Sequence, residues 1–463
     1  MRALQLAQCG GKVFPRHDEV LSYPKKQVLF YLKRLINYIN NQVLVKITSL
    51  QTASVLTKII AGILTSKALA IFVGPVGLAL VGNLRNFVSA FQSISILGFY
   101  DGFVKYVANF KDEARGLIKT ISTVFYFGFF ATVLTSLFCY YNAESINKAI
   151  FPEYNDYAYV IRVFAIVLPF YALNMFSFGI MNGFSKYKIL IVINIIGQVL
   201  SVSIALLLIY QNKINGALIS VVITESIIFL ITLVGITNRK SLMGHIQASE
   251  VSLRFLKQML PYSLMALFTA VILPLIALVI RSYIIDNIGY KYAGFWEAMN
   301  RISKYYLMYI TSLLGLYILP RFAKITSLDF IRKEALSIYK TLIPILSVGF
   351  VLIFIFKRYL VAFIFSEEFE PVEDLFFWQL LGDFVKILSI VIAYQFLAKK
   401  MFWHFIITEA FLAITLYLSS IYFIDYFHGI KGAVVGHFVS YILYFTIVIL
   451  VFYSPFFKVD EVD

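Results

Sequence analysis

Cysteine is nearly missing from this chain, and so is charge. The two cysteines, Cys9 and Cys139, fall on opposite sides of the bilayer in the topology derived below, so no disulfide framework joins them. Charged residues make up 14% of the 463, against roughly 25% in an ordinary soluble domain. Hydrophobic residues make up 60%, and the mean hydropathy is +0.83. A soluble globular fold is excluded. Histidine is scarce too: His17, His245, His404, His428 and His437 are scattered over tail, loops and helix ends without metal-ligand spacing. There is no GxxxxGK[ST] loop for ATP, no HExxH, no paired CxxC and no GxSxG. The composition therefore excludes a P-loop engine and the common metal or nucleophile hydrolases.

What remains is a series of long apolar runs. Twelve spans are expected near 48–72, 78–104, 117–141, 157–182, 187–210, 215–237, 253–284, 289–318, 336–356, 374–397, 402–424 and 430–453. Barrel strands would be about ten residues long with alternating polarity, so the fold class is an all-α integral membrane protein. The net charge of +15 invites a nucleic-acid reading, but the basic residues sit in alternate loops. Lys111, Arg115, Lys186, Lys188, Arg239, Lys240, Arg321, Lys324, Lys399 and Lys400 share one side. The other side has fewer cations and the acidic stretch SEEFEPVED. By the positive-inside rule both termini are cytoplasmic, the charge is topological, and no nucleic-acid partner is implied. KVFPRHDEVL breaks any signal-peptide core. Residues 25–40, KKQVLFYLKRLINYIN, read as a basic amphipathic helix on the inner leaflet, or as the product of an upstream start.

The chain matches itself at a shift of about 215 residues. Gly74 falls on Gly289, Ala108 on Ala323 and, at a shift of 216, Gly216 on Gly432. Six spans then repeat as six, in parallel topology. The resulting organisation is a tail at 1–42, an N-lobe at 43–237, a linker at 238–252, a C-lobe at 253–455 and a tail at 456–463. Two lobes around a cleft suit alternating access.

Charge inside the spans marks the candidate site, because a charge facing lipid costs several kcal/mol. Glu297, Asn300, Arg301 and Lys304 form one stripe at i, i+3, i+4 and i+7. Arg85 aligns with Asn300 under the repeat, so both lobes place a cation at similar depth. Arg forks match phosphate oxygens, and Arg85, Arg301 and Lys304, with Lys67 and Lys58 of the first span, are the candidate lumen cations. Lys58 and Lys67 lie nine residues apart on nearly opposite faces and would not serve one cavity at the same depth. Asp101 and Lys105 are expected to form an i,i+4 ion bridge, and Asp383 and Lys386 an internal pair that supports the cleft. Glu225, Asp383 and Glu409 are candidate buried carboxylates for pairing or for a coupling proton or sodium ion. Arg162 and Arg281 are expected to snorkel to the interface.

Several stretches resemble a known family. SKALAIFVGPVGLALVGNLRNF (66–87), the NG of MNGFSKYK (181–188), YILPRFAK (317–324) and FFWQLLGDFVKILSIVIAYQFLAKKMFWHFIITEAF (376–411) are similar to the Wzx-type O-antigen translocases, lipid-linked oligosaccharide flippases of the multidrug/oligosaccharidyl-lipid/polysaccharide (MOP) exporter superfamily. The resemblance spans about residues 43–455, and the 42-residue tail departs from it. It implies two six-helix bundles in the bacterial inner membrane and no catalytic cofactor. It also implies transfer of an undecaprenyl-diphosphate-linked repeat unit from the inner to the outer leaflet, with a polymerase and a chain-length regulator acting next. A cationic lumen is implied as well, and Arg85, Arg301 and Lys304 are its positions here. Three other readings stand beside it: a drug or cation antiporter of the same superfamily, with a cleft dominated by carboxylates; a membrane polymerase or ligase, with a large catalytic loop; and a membrane scaffold.

Overall fold

A bilayer core offers no water to satisfy backbone groups, so apolar runs of this length must close their hydrogen bonds within themselves. The computed structural model, which describes residues 43–236, 246–325 and 327–453, is helical accordingly, and no strand occurs among those residues. The tail 1–42 with its amphipathic stretch, most of the linker 238–252 and the tail 456–463 lie outside the described residues.

The helices are α1 (Val43–Phe72), α2 (Gly74–Ser95), α3 (Tyr100–Phe110), α4 (Ala114–Tyr141), α5 (Ala143–Ile150), α6 (Ala158–Gly183), α7 (Tyr187–Gly235), α8 (Leu253–Asn287), α9 (Tyr290–Lys324), α10 (Leu328–Ile355), α11 (Lys357–Ile364), α12 (Phe376–Ala398), α13 (Phe402–Phe427) and α14 (Lys431–Tyr453). Among the described residues, eleven helical stretches are long and apolar enough to cross a membrane. One of them, α7, has 49 residues. Straight, it would be about 74 Å long, more than twice a bilayer core of about 30 Å. It is not straight: Lys213 has φ 46° and ψ −119°, and the two halves fold back on each other there. Counted as two, α7 supplies the fifth and sixth spans, for twelve in all. The second span is broken, contrary to the continuous 78–104 expected. Leu97 (φ 53°) and Gly98 (φ 62°) separate α2 from α3.

The internal repeat has a physical basis in its turns. Gly74 and Gly289 both carry positive φ, 73° and 116°, at the starts of α2 and α9. Gly216 and Gly432 both sit where a hairpin closes tightly. A Cβ there would lie 1.9 Å from the Leu208 carbonyl oxygen and 2.2 Å from the Ile424 nitrogen, respectively. The same backbone need therefore recurs at the corresponding turn of each lobe.

Residues from Ser54 onward form one compact unit, and the packing described here is that unit's own. Within the N-lobe, α6 packs on α4 and α7; within the C-lobe, α14 packs on α12 and α13, and α9 on α12. The lobes meet chiefly along α2, which lies against both α8 and α9. The turns after α1, α8, α11 and α13 gather at one end of the bundle, called here the far end. The turns after α3, α6, α9 and α12 gather at the other, the linker end. At the far end α2 and α9 cross so closely that a Cβ on Gly294 would lie 2.0 Å from the Pro75 carbonyl oxygen.

Candidate functional site

In the first half of α9, the stripe expected on one face is present and two of its members are buried. Glu297 and Arg301 are each 2% exposed. The i,i+4 spacing brings Arg301 Nε within 2.9 Å of Glu297 Oε1. The other carboxylate oxygen takes Arg281 of α8, Nη2 to Oε2 at 2.5 Å. Each arginine then reaches into the N-lobe: Arg281 Nη1 donates to Asn83 Oδ1 of α2 at 3.0 Å, and Arg301 Nη1 to Ser66 Oγ of α1 at 3.3 Å. Asn83 is itself fixed by donating to the Ile150 carbonyl at 2.8 Å. Arg281 also lies over the Trp296 ring, 5.2 Å from its centroid.

Two more cations stand within electrostatic range of this cluster, Arg85 and Lys304. Arg85 is half-buried and Lys304 exposed, and neither forms a hydrogen bond or ion pair among the described residues. Four cations thus face one carboxylate, an excess of three positive charges. Nε of Arg281 and Nη2 of Arg301 are buried without an acceptor. The two buried arginines alone outnumber their carboxylate, and such an excess in a low-dielectric interior is costly unless an anion or water arrives to meet it.

Beside the cluster, α8, α9, α12, α13 and α14 enclose a cavity of about 220 Å³, with Asn86 of α2 in its wall. Arg281, Glu297, Asn300, Lys304, Lys386 and His437 line it; Arg85 does not. Behind two of its lining residues, Gln379 and His437, lies Asp383, which is 0% exposed. The Ser303 hydroxyl (2.5 Å), the Tyr306 hydroxyl and the Gln379 amide (3.2 Å) donate to Oδ2, and His437 Nε2 lies 3.1 Å from Oδ1. The glycine before it has a reason: a Cβ on Gly382 would lie 2.4 Å from the His437 ring. The GD of WQLLGD is thus a seat for an imidazole from α14.

Of the expected site residues, the structure gathers Arg85, Glu297, Arg301 and Lys304, with Asp383 and Lys386 at the adjoining cavity. The Asp383–Lys386 pair is not made. Lys386 instead lies over the Tyr441 ring, 5.3 Å from its centroid, and donors from three helices take the carboxylate. Lys67 is not free to face a substrate. Its ammonium donates to the carbonyls of Ala362 (2.8 Å) and Phe365, at the C-terminal end of α11, where a cation suits the helix dipole. Lys58 is exposed, away from the cluster's hydrogen bonds. Asp101 and Lys105 do not bridge; both are exposed, and Lys105 reaches across to the Tyr262 hydroxyl at 2.6 Å. Glu409, 9% exposed, accepts from Tyr444 at 2.8 Å. Glu225 lies on α7, with its side chain outside the described part of the structure.

Arg162 meets the expectation of an interfacial cation, pairing at 2.9 Å with the exposed Glu144. Arg281 does not: it is 1% exposed and anchors the cluster. Its position in the sequence held a usable signal. The α8–α9 turn falls at Ile288–Gly289. Arg281 and Glu297 lie seven and eight residues from it, so an antiparallel hairpin brings them level.

The model of the family described as "polysaccharide biosynthesis protein" matches residues 68–374. The lipid III flippase of Escherichia coli (strain K12) is 26% identical over 406 residues, which cover 85% of this chain and 94% of that protein. The lipid III flippase of Shigella flexneri matches with the same figures. Among solved structures, an inward-facing multidrug-resistance transporter of the MATE family, in the MOP superfamily, superposes with a TM-score of 0.69 at 16% identity, covering 86% of this chain and 94% of that one. That likeness fixes the fold. With two thirds of its length under one family model, the chain belongs to the polysaccharide biosynthesis protein family.

Proposed function

We propose that this protein is a flippase for a polyprenyl-diphosphate-linked oligosaccharide. It would carry an O-antigen-like or related surface-polysaccharide unit on undecaprenyl diphosphate from the inner to the outer leaflet of the bacterial inner membrane. On this reading the basic linker end is cytoplasmic, the far end faces outward, and a polymerase and chain-length regulator act on the product. The observation that carries the reading is the uncompensated cationic cluster inside three of the membrane-length helices, with Arg85 and Lys304 lacking partners among the described residues. The lipid III flippases that resemble the chain over most of its length support it. A cation exporter would want the opposite sign of charge at this depth.

The energetics need no nucleotide. A diphosphate carries about two negative charges. With the cell interior negative by about 150 mV, outward movement is favoured by about 7 kcal/mol, at roughly 2.3 kcal/mol per charge per 100 mV. The barrier is the headgroup's passage through hydrocarbon, which a cationic cleft lowers while the prenyl chain stays in lipid. The empty carrier must then reset, and exchange of a proton or sodium ion at a buried carboxylate such as Glu409 would serve.

The test is transfer of a fluorescent undecaprenyl-diphosphate oligosaccharide in proteoliposomes, read by an impermeant lectin. Because Arg85 has no partner to orphan, Arg85→Ala should fold normally. One charged hydrogen bond is worth about 1.5–3 kcal/mol, so flipping should fall roughly 10- to 100-fold. Arg85→Lys should recover part of it. Wild-type rates in both Arg85→Ala and Lys304→Ala would remove the anion site.

A further inference from the structure

Glu297 is the one carboxylate within the cationic cluster among the described residues, and it does two jobs. It pairs with both Arg281 and Arg301, one through each carboxylate oxygen. By orienting them, it also aims Arg281 at Asn83 and Arg301 at Ser66, so these two hydrogen bonds between the lobes depend on it. The cluster lies just inside the Pro75–Gly294 crossing that closes the far end. While that contact holds, α2 and α9 cannot part there.

A bacterial membrane is crowded with monoanionic phosphodiesters, which a cationic cleft would also attract. An internal carboxylate competes with them at the high effective concentration of a tethered group. A phosphodiester brings the same single charge as Glu297 and gains nothing by replacing it. A diphosphate brings about two charges and more acceptor oxygens. From the cavity it can meet Arg281 and Lys304, and once it takes the place of Glu297 it can offer acceptors to the buried Arg281 Nε and Arg301 Nη2 that now lack them.

We propose that Glu297 is a specificity-determining carboxylate. In the empty carrier it occupies the place of the substrate's anion and holds the far end closed, and only a headgroup of higher charge displaces it and frees the lobes to part there. This rests on the anionic substrate class argued above. The displacement is an exchange of ion pairs; no covalent bond changes.

The experiment measures the distance across the far end. Lys148 of α5 and Glu370 of the short 3-10 helix Glu367–Leu375, both exposed and in different lobes, are replaced by spin-labelled cysteines in a full-length Cys9→Ala, Cys139→Ala background. Pulsed electron–electron resonance is recorded in nanodiscs of phosphatidylethanolamine and phosphatidylglycerol. The parent should show a short distance that phosphatidylglycerol leaves unchanged and added undecaprenyl diphosphate lengthens. Glu297→Gln should show the long distance with no diphosphate present. Asn83→Ala keeps the carboxylate and both arginines and should shift the same way, which guards against a Glu297→Gln protein that fails to fold. A short distance in both variants while the parent still responds to diphosphate would overturn the role of Glu297 and leave the substrate class standing. Long distances in the variants with a parent indifferent to diphosphate would overturn the substrate class, and the displacement step with it.

Discussion

Replacing Asp383 by asparagine and by alanine should give proteins of very different stability. Four donors converge on this carboxylate: the hydroxyls of Ser303 and Tyr306, the Gln379 amide and His437 Nε2. In Asp383→Asn the amide oxygen can keep the three donors at Oδ2, and the amide NH₂ can donate to His437 in its other tautomer. What is lost is charge assistance, about 1 kcal/mol per bond, so about 3–4 kcal/mol over the set. Asp383→Ala leaves all four donors buried without an acceptor. At about 1–3 kcal/mol each, that is roughly 4–12 kcal/mol before relaxation. The assay is heating in detergent followed by size-exclusion chromatography with fluorescence detection. Asp383→Asn should give a monodisperse peak that melts below the parent, and Asp383→Ala little or no folded peak. Equal melting of the two variants would refute the four-donor account, because the carboxylate would then be carrying no network.

Two other substitutions test the packing. Gly432→Val would put a Cβ 2.2 Å from the Ile424 nitrogen, inside a backbone-to-backbone contact that cannot yield, and should abolish accumulation of folded protein; a normal chromatographic peak would contradict the tight α13–α14 hairpin. Tyr444→Phe removes the hydroxyl that donates to the buried Glu409, costing about 1–3 kcal/mol, and should lower the melting temperature without changing the far-end distance. A lengthened distance would mean that Glu409 belongs to the lobe contact instead.

The parts legible in the sequence were those set by local periodicity. Span lengths follow from bilayer thickness, and the break between the fifth and sixth spans fell in QNKING, where Lys213 turns the chain. The Glu297–Arg301 pair is an i,i+4 relation on one helix and needed no tertiary knowledge. Spacing misled wherever a neighbouring helix offered a better partner. Lys105 prefers Tyr262, 157 residues away, to Asp101 four residues away. Asp383 is taken by α9 and α14, so the Lys386 three residues on finds an aromatic face. Lys67 satisfies the carbonyls of α11 across 295 residues. None of these partners is fixed by a period of 3.6; each depends on which helices pack together.

The two buried acids divide the labour of a rocking carrier. Every donor to Asp383 comes from α9, α12 or α14, all within the C-lobe. Relative motion of the lobes leaves that network untouched, so its worth goes into keeping the C-lobe rigid. Glu297 is the reverse case: its two arginines end on Asn83 and Ser66 of the N-lobe, and any parting of the lobes at the far end must break those bonds. Hydroxyl, amide and imidazole donors from within one lobe suit the first role, since a rigid node should stay satisfied whatever occupies the cleft. Ion pairs suit the second, since a charged ligand can replace them one for one. Variants at Asp383 should therefore move melting temperature with little effect on conformation, and variants at Glu297 should move the conformational balance more than the melting temperature.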